Sequence, residues 1–230
     1  MVNGYIIPTK IEAEKFEVKG VDVSEYQGEV DWNKIKEQNI DFAFIKATEG
    51  SKGKDDSFDK NYEKLKNMDM LLGLYHFFSF ESLGEEQADN YIKVVGNIKN
   101  DESLILPIID IEYYSYYKKA KPDKEWVTKE LQKMLEKLEK TYRVKPIIYT
   151  TMEFYKEYIE SEFLEYDIWI RNILTKPKLE NRDWEFWQYT GRGRLEGYNG
   201  EEEFIDLNVF NGSKEDFENY IKEKREEKFS

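Results

Sequence analysis

The chain has 230 residues, a length that single barrel domains commonly reach. Its formal net charge of -13 argues against nucleic acid as a partner, because phosphate binding needs clustered Lys and Arg. The chain contains no cysteine and a single histidine, His76, which excludes thiol nucleophiles, disulfides and a multi-histidine zinc site. Any catalysis is therefore expected to depend on carboxylates.

Residues 1–18 are polar and aperiodic, and we expect them to form an extended arm. From residue 19 onward, short apolar strands alternate with amphipathic helices, which predicts a parallel sheet. The predicted strands lie at 20–24, 42–48, 71–77, 104–112, 145–150, 166–170, 185–189 and 204–210. The predicted helices lie at about 32–36, 58–68, 85–98, 124–142, 154–159 and 214–228.

Eight strands fit a closed barrel better than an open sheet. The connections between the last three strands are too short for full helices, and no Pro/Gly-rich linker divides the sequence. We therefore predict an α/β fold, namely a TIM-like (β/α) barrel of eight strands with fewer than eight helices. This barrel would form one catalytic domain over residues 19–230.

The fourth predicted strand is a continuous apolar run that ends in two acids, Asp110 and Glu112, separated by Ile111. Residues i and i+2 of a strand point to the same side, so both acids leave one face of the sheet. Burying two acids is costly unless they are paired, hydrogen-bonded or catalytic. The alternative is that the strand simply runs out into a solvated loop, where Asp and Glu are common.

In a parallel barrel, the active site lies at the carboxyl ends of the strands. Because the first and last strands are neighbours in a closed barrel, Asp22 and Asp206 are expected to lie near each other. The polar and aromatic residues near the predicted strand ends describe an acidic cleft with aromatic walls: Asp22, Glu25, Lys46, Glu49, His76, Asp110, Glu112, Tyr149, Trp169, Arg171, Trp187, Gln188 and Asp206.

Each of these residues also has a purely structural interpretation. Asp22 could form a buried salt bridge with Lys46, since buried charges are usually paired. His76 is expected to be a hydrogen-bonded packing residue rather than a catalyst. The aromatic residues could belong to the core, and Asp206 could brace a loop. These interpretations explain poorly why all of the residues fall at one end of the barrel.

Carboxylates beside aromatic platforms are the groups needed to hydrolyse a glycosidic bond. One acid, kept protonated by burial, donates a proton to the leaving oxygen, and a second carboxylate supports the reaction at the anomeric carbon. Glu112 is the predicted acid because it lies further out and its longer side chain can reach the scissile oxygen. Asp110 lies deeper and is expected to stay ionised as its partner.

The sequence resembles the lysozymes of glycoside hydrolase family 25, muramidases that cut the bond between N-acetylmuramic acid and N-acetylglucosamine in peptidoglycan. The likeness covers about residues 19–211, and an Asp-x-Glu sequence at Asp110–Glu112 matches the catalytic motif of the family. The matching segments occur in order at 19–28, 30–32, 41–50, 73–78, 107–112, 187–189 and 205–208.

The resemblance implies a retaining enzyme that cleaves the β-1,4 linkage, with Glu112 as general acid. It implies that Asp110 orients the N-acetyl group of the substrate, which then acts as the nucleophile. It also implies that no metal or cofactor is required, that the partner is the peptidoglycan glycan strand and that the protein is a monomer. The residues expected to contact substrate are Asp22, Asp206, Tyr75, Tyr149, Trp169, Trp187 and Gln188.

One segment departs from the family pattern. Where the family commonly has Trp-x-Ala-x-Tyr, this chain has Trp169-Ile170-Arg171-Asn172-Ile173, so Arg171 is expected to alter one wall of the cleft. No apolar stretch approaches the length of a membrane span, and residues 1–16 contain no apolar core of a signal peptide. We expect an exported or cell-surface enzyme whose targeting segment is absent from this chain, with a phage-type lysin as the alternative.

Two other functions stay open at the level of sequence. The first is a barrel that binds peptidoglycan or chitin without turnover, although the presence of all four acids argues against it. The second is a hydrolase that uses the acids as ligands of a divalent metal ion.

Overall fold

The computed structural model describes residues 8–96 and 105–229. Its strands are β1 (Lys19–Val23), β2 (Phe42–Glu49), β3 (Gly53–Lys54), β4 (Leu71–Phe77), β5 (Ile105–Asp110), β6 (Ile147–Thr151), β7 (Ile168–Arg171), β8 (Phe186–Gly193) and β9 (Ile205–Phe210). Its α-helices are α1 (Pro8–Ala13), α2 (Trp32–Glu37), α3 (Phe58–Leu65), α4 (Gly84–Val95), α5 (Lys124–Tyr142), α6 (Met152–Phe154) and α7 (Lys214–Phe229). Helix α6 continues as one turn of π-helix, Tyr155–Ile159.

Eight of these strands form a closed barrel, as the sequence predicts. Their order around the barrel is β1, β9, β8, β7, β6, β5, β4 and β2, and pairing between β1 and β2 closes the ring. The two-residue strand β3 pairs only with the end of β2 and lies outside the ring. The predicted class, an α/β barrel with fewer than eight helices in the described ranges, is confirmed.

The prediction of a wholly parallel barrel is wrong for the last strand. Strand β9 runs antiparallel to both of its neighbours, β8 and β1. Parallel neighbours need a crossover of a dozen or more residues, usually through a helix, whereas the segment 194–204 between β8 and β9 contains no helix. Strand β9 therefore begins at the end of the barrel where most other strands finish, and Asp206 lies directly opposite Asp22.

Side chains alternate between the two faces of each strand, so the apolar side chains form one layer inside the barrel and another outside it. The inside of the barrel is filled by large rings, among them Phe42, Phe44 and Phe186, which contact one another at centroid distances of 5.0 Å. Gly20 leaves room for these rings, because a Cβ there would lie 2.1 Å from the Phe42 ring. The outer faces of the strands carry mostly aliphatic side chains that pack under the helices. Helix α7 covers the amino-terminal end of the barrel with Phe217 and Tyr220.

The predicted helices agree with the structure except near their ends. Helix α5 has the predicted bounds because Asp123 accepts a hydrogen bond from the Trp126 backbone N–H at its start. Helix α4 ends at Val95, so the predicted end at residue 98 falls outside the described residues, as does residue 104 of the fourth strand. No helix in the described ranges is both long and apolar enough to cross a membrane.

Part of the predicted N-terminal arm is helical rather than extended. Helix α1 buries Thr9 and Ala13, and the chain after it places the Phe16 ring 5.6 Å from Trp184 and 6.3 Å from Trp187. Helix α1 has only six residues, too few for a hydrophobic repeat to show in the sequence, and its contacts come from a strand more than 160 residues away. Residues 1–7 lie outside the described part of the chain.

Candidate active site

The strand ends surround an open cleft of about 780 Å³. Beside the exposed Glu153, four acids from three parts of the barrel line it: Asp22 on β1, Asp110 at the end of β5, Glu112 just beyond β5, and Asp206 on β9. This arrangement brings together residues that are far apart in the sequence, as predicted. The remaining walls carry aromatic and basic side chains, which include Tyr26, Lys46, Tyr75, Phe77, Tyr113, Lys118, Tyr149, Trp169 and Arg171.

Asp110 and Glu112 belong to an ordered, buried strand end rather than to a solvated loop. Ile111 between them is fully buried on the opposite side, and its N–H donates to the Tyr149 carbonyl oxygen at 2.9 Å, which continues the pairing of β5 with β6. Asp110 is 9% exposed and Glu112 is half-buried. The alternative that the strand runs out into solvent is therefore wrong.

Asp110 is a buried acid with an unfilled hydrogen-bonding position. Its Oδ1 atom is buried and has no hydrogen-bond partner among the described residues. Burial raises the pKa of Asp110 well above its usual value, and the negative charges of Glu112 and Asp22 act in the same direction. The protein surroundings thus favour the neutral acid, which differs from the sequence-based expectation that Asp110 stays ionised.

Glu112 is placed to hold its proton to a higher pH than an exposed Glu would. Burial raises the pKa of Glu112, and the positive charges of Arg171 and Lys118 offset part of this rise. Two acids on one face of a strand cannot both ionise without repulsion, so their protonation is linked. The site therefore contains two linked acids, one at the mouth of the cleft and one deeper in it.

Asp22 is held by side-chain amides from the two last strands. Its Oδ2 accepts hydrogen bonds from Gln188 Nε2 at 2.9 Å and from Asn208 Nδ2 at 2.7 Å. The Oε1 of Gln188 accepts from the Tyr149 hydroxyl at 2.9 Å, and the Oδ1 of Asn208 accepts from Trp169 Nε1 at 2.8 Å. This chain of bonds fixes a tyrosine, a tryptophan and an acid in one rigid wall of the cleft.

The salt bridge between Asp22 and Lys46, which the structural interpretation of Asp22 requires, is not formed. Lys46 instead pairs with Glu49 at 2.7 Å, three residues along the same strand. A β-bulge in β2 between Lys46 and Thr48 changes the alternation here. Asp22 is therefore stabilised by neutral donors rather than by a cation, which leaves its charge available to the cleft.

Asp22 and Asp206 form a second pair of coupled acids. Burial raises the pKa of Asp22 to about 6, although the bonds from Asn208 and Gln188 lower it. Burial also raises the pKa of Asp206 to about 8, and the negative charge of Asp22 adds to the rise. Near neutral pH this pair therefore carries about one proton, which limits the negative charge at the floor of the cleft.

Of the four aromatic residues predicted to contact substrate, three line the cleft. Trp169 lies at the centre, with its ring 4.3 Å from that of Tyr149 and 6.4 Å from that of Tyr75. Trp187 does not line the cleft: it is fully buried under α1, packs on Trp184 and donates from Nε1 to the Asn172 carbonyl oxygen at 2.8 Å. Adjacent strand residues face opposite sides, so Gln188 and Trp187 could never both face the cleft.

We expect Trp187→Phe to lower the free energy of unfolding by about 2 kcal/mol, because a buried hydrogen bond and some packing volume are lost. The KM for polymeric substrate should stay unchanged, because the ring lies outside the cleft. The matched control is Trp169→Phe, which removes the same indole N–H inside the cleft and should raise KM. Thermal unfolding and initial rates on both variants test the assignment, and a raised KM in Trp187→Phe alone would contradict it.

His76, which was also singled out in the sequence, has a structural role. His76 is fully buried between β4 and α4, with Nδ1 2.7 Å from Thr48 Oγ1 and Nε2 3.0 Å from Gln87 Oε1. Burial lowers the pKa of His76 to about 4, so it is neutral at physiological pH. This bears out the expectation of a hydrogen-bonded packing residue. Within residues 8–96 and 105–229, no group of three or more His, Asp or Glu is arranged to bind a metal ion.

Some residues of the site, either lining the cleft or buried behind it, were absent from the sequence-based set. Asn208 could have been found, because it lies two residues after Asp206 and so has the same side of β9 available to it. Lys118, Tyr113 and Tyr26 follow the strands in loops whose path cannot be read from periodicity. Only the closed barrel shows that these loops bend over the cleft.

The comparisons with known proteins agree on one family. Residues 21–198 match the model of Glycosyl hydrolases family 25. A family 25 glycosyl hydrolase from Bacillus anthracis is 51% identical, with a TM-score of 0.82 over 90% of this chain and 94% of that chain. A bacterial lysozyme from Streptomyces coelicolor is 28% identical, with a TM-score of 0.77 over 91% and 98% of the two chains.

A relative found by sequence supports the same family assignment. Lysozyme M1 from Streptomyces globisporus is 31% identical over 208 residues, which are 85% of this chain and 68% of that protein. The family match spans well over half of the sequence and includes the strands that carry Asp22, Asp110 and Gln188. This chain therefore belongs to glycosyl hydrolases family 25 and is a glycoside hydrolase.

Proposed function

We propose that this protein is an N-acetylmuramidase that hydrolyses the β-1,4 bond between N-acetylmuramic acid and N-acetylglucosamine in peptidoglycan. The observation that carries the proposal is the placement of Asp110 and Glu112 on one face of a barrel strand end, inside an aromatic-walled cleft. Relatives named as lysozymes and as an N,O-diacetylmuramidase support the choice of substrate.

In the proposed first step, Glu112 protonates the glycosidic oxygen of the departing N-acetylglucosamine. Its raised pKa keeps the carboxyl group protonated to a higher pH than that of an exposed Glu, which suits it to donate a proton. The bond from the anomeric carbon to this oxygen breaks, and the electron pair stays with the leaving group. Glu112 is then a carboxylate, ready to act as a base.

The nucleophile of the same step is the N-acetyl group of the muramic acid. Its carbonyl oxygen forms a bond to the anomeric carbon, and positive charge develops on the amide. The unpaired Oδ1 of Asp110 is the acceptor proposed for the amide N–H. A hydrogen bond to the ionised acid lowers the pKa of Asp110, so substrate binding would shift the proton of the acid pair to Glu112.

In the second step, water attacks the anomeric carbon while the Glu112 carboxylate takes up its proton. The bond to the acetyl oxygen breaks, and the acetamido group is restored. Two displacements at one carbon give net retention of configuration, in common with other retaining glycosidases. Asp22, Asp206, Tyr75, Tyr149, Trp169 and Gln188 are proposed to contact the sugar, with the rings stacking on its apolar faces.

Mass analysis of purified peptidoglycan digested by the protein tests this function. A muramidase releases fragments with N-acetylmuramic acid at the new reducing end, whereas a glucosaminidase releases N-acetylglucosamine there. Binding to the polymer without any new reducing end would support the non-catalytic alternative. Loss of activity in excess chelator would instead favour a metal-dependent hydrolase.

The proposed substrate sets where the enzyme acts. Peptidoglycan lies outside the cytoplasmic membrane, so the protein would work at the cell wall, either as an exported enzyme or as a lysin. We also propose that it acts as a monomer. Among the structural relatives is a protein named as the CTP1L endolysin, with 22% identity and a TM-score of 0.71, which shows a shared fold.

A further inference from the structure

Arg171 is a cation that faces the catalytic acids without forming an ion pair. It is the last residue of β7, two residues after Trp169, so its side chain leaves the strand on the cleft side. Its neighbours across the sheet are Thr151 and Gln188, which also line the cleft. Its guanidinium forms no salt bridge and no side-chain hydrogen bond with any residue in the described ranges.

Two other basic side chains near the cleft differ in this respect. Lys46 is paired with Glu49 at 2.7 Å, and Lys121 reaches Glu153 on the cleft wall at 3.3 Å. Lys118, which follows Glu112 in the loop after β5, is exposed and, like Arg171, has no salt bridge within the described ranges. Arg171 and Lys118 therefore lack a close ion-pair partner in the described ranges, although both charges lower the pKa of Glu112 and that of Arg171 also lowers those of Asp22 and Asp206.

A half-buried guanidinium beside a sugar-binding cleft is suited to one kind of ligand group. Its planar fork of N–H donors fits a carboxylate through two parallel hydrogen bonds, a geometry that an ammonium cannot reproduce. None of the neighbouring acids forms such a paired contact with Arg171: Asp22 accepts bonds from two amides, and burial raises the pKa values of Glu112 and Asp206. The ligand of Arg171 is therefore expected to come from the substrate.

We propose that Arg171 is a specificity-determining residue that binds the free lactyl carboxylate of a muramic acid from which the peptide has been removed. The proposal rests on the proposed function, since it concerns the sugar that this enzyme is expected to cleave. In peptide-bearing peptidoglycan the lactyl carbonyl is part of a neutral amide, so it offers no charge to the guanidinium. A reaction that hydrolyses this amide would therefore supply the preferred substrate.

The test compares three forms of one glycan preparation. The first is peptide-free glycan with free lactyl carboxylates, made by amidase treatment. The second is the same glycan after its carboxylates have been coupled to methylamine, which makes them neutral. The third is the untreated, peptide-bearing glycan. The measured quantity is the ratio of kcat/KM between the first and second forms.

We expect the wild type to prefer the free carboxylate by about tenfold, the effect of one charge-assisted hydrogen bond, mostly through KM. Arg171→Ala should bring the ratio close to one, and Arg171→Lys should restore part of it. Any change in the pKa of Glu112 acts on both glycans alike and cancels in the ratio. The matched control is Arg192→Ala, which removes an exposed arginine of β8 outside the cleft and should leave the ratio unchanged.

Two results would overturn the proposal. An unchanged ratio in Arg171→Ala, or a wild type that does not distinguish the first two glycans, would show that Arg171 binds no lactyl carboxylate. A preference for the peptide-bearing form that is lost in Arg171→Ala would assign the cation to a peptide carboxylate instead. Failure of the muramidase proposal is distinguishable, because the wild type would then release no fragments ending in muramic acid from any form.

Discussion

Replacing Glu112 by Gln is expected to lower kcat on purified peptidoglycan by about 10²–10⁴-fold, the usual contribution of a positioned general acid. Gln has the same size and can fill the same half-buried position, but it cannot donate a proton to the leaving oxygen. The melting temperature should therefore change little or rise, because one of four neighbouring acids is removed. Release of new reducing ends, measured beside thermal unfolding, separates the chemical effect from a folding defect.

The matched control for this variant is Glu153→Gln. Glu153 also lines the cleft, but it is exposed and pairs with Lys121, so its loss should change kcat by less than about threefold. The pH profile gives a second readout: the wild type should lose activity as pH rises through the raised pKa of Glu112, since the protonated form is the active one. Near-wild-type activity in Glu112→Gln would disprove the assignment.

Replacing Asp110 by Asn is expected to lower kcat by about 10²–10³-fold, with a smaller effect on KM. Asn keeps the shape of the side chain but cannot carry the negative charge that stabilises the developing positive charge on the substrate amide. Because Asp110 is 9% exposed, the isosteric change also preserves packing, whereas Ala would leave a cavity at the strand end. Initial rates at several substrate concentrations give the two constants.

A chemically altered substrate separates this role from a direct attack by Asp110. Glycan whose muramic acid amides carry trifluoroacetyl in place of acetyl has a weaker carbonyl nucleophile. Under neighbouring-group assistance, the wild type should slow on this substrate by at least as large a factor as Asp110→Asn does. If wild-type rates were indifferent to the fluorinated amide, Asp110 itself would be the nucleophile and the proposed role would be wrong.

Much of the barrel follows from local patterns. Strand β4 and helix α5 have the predicted bounds, because one is a short run of Leu and aromatic residues and the other carries Leu131, Leu135 and Leu138 on one stripe. The position of Asp110 and Glu112 on one face also follows from strand periodicity alone. These features depend on neighbours within a few residues.

The errors have different origins. The direction of β9 depends on whether its connection contains a helix, and α1 forms only against a surface built by β8. Trp187 was assigned to the cleft by residue type, although the alternation that placed Asp110 and Glu112 correctly also places Gln188 and Trp187 on opposite faces. That error was avoidable from the sequence.

The sequence by itself determined the fold class, the family and the pair of acids at the end of β5. Only the tertiary structure decided how those acids are supported. Asp22 is held by Gln188 and Asn208, which lie 166 and 186 residues away, and a bond across such a separation has no local signal. Protonation is likewise a tertiary property, because burial and neighbouring charges set the pKa values of Asp110 and Glu112. The position of Arg171 in the cleft without a close ion-pair partner is likewise visible only in the closed barrel.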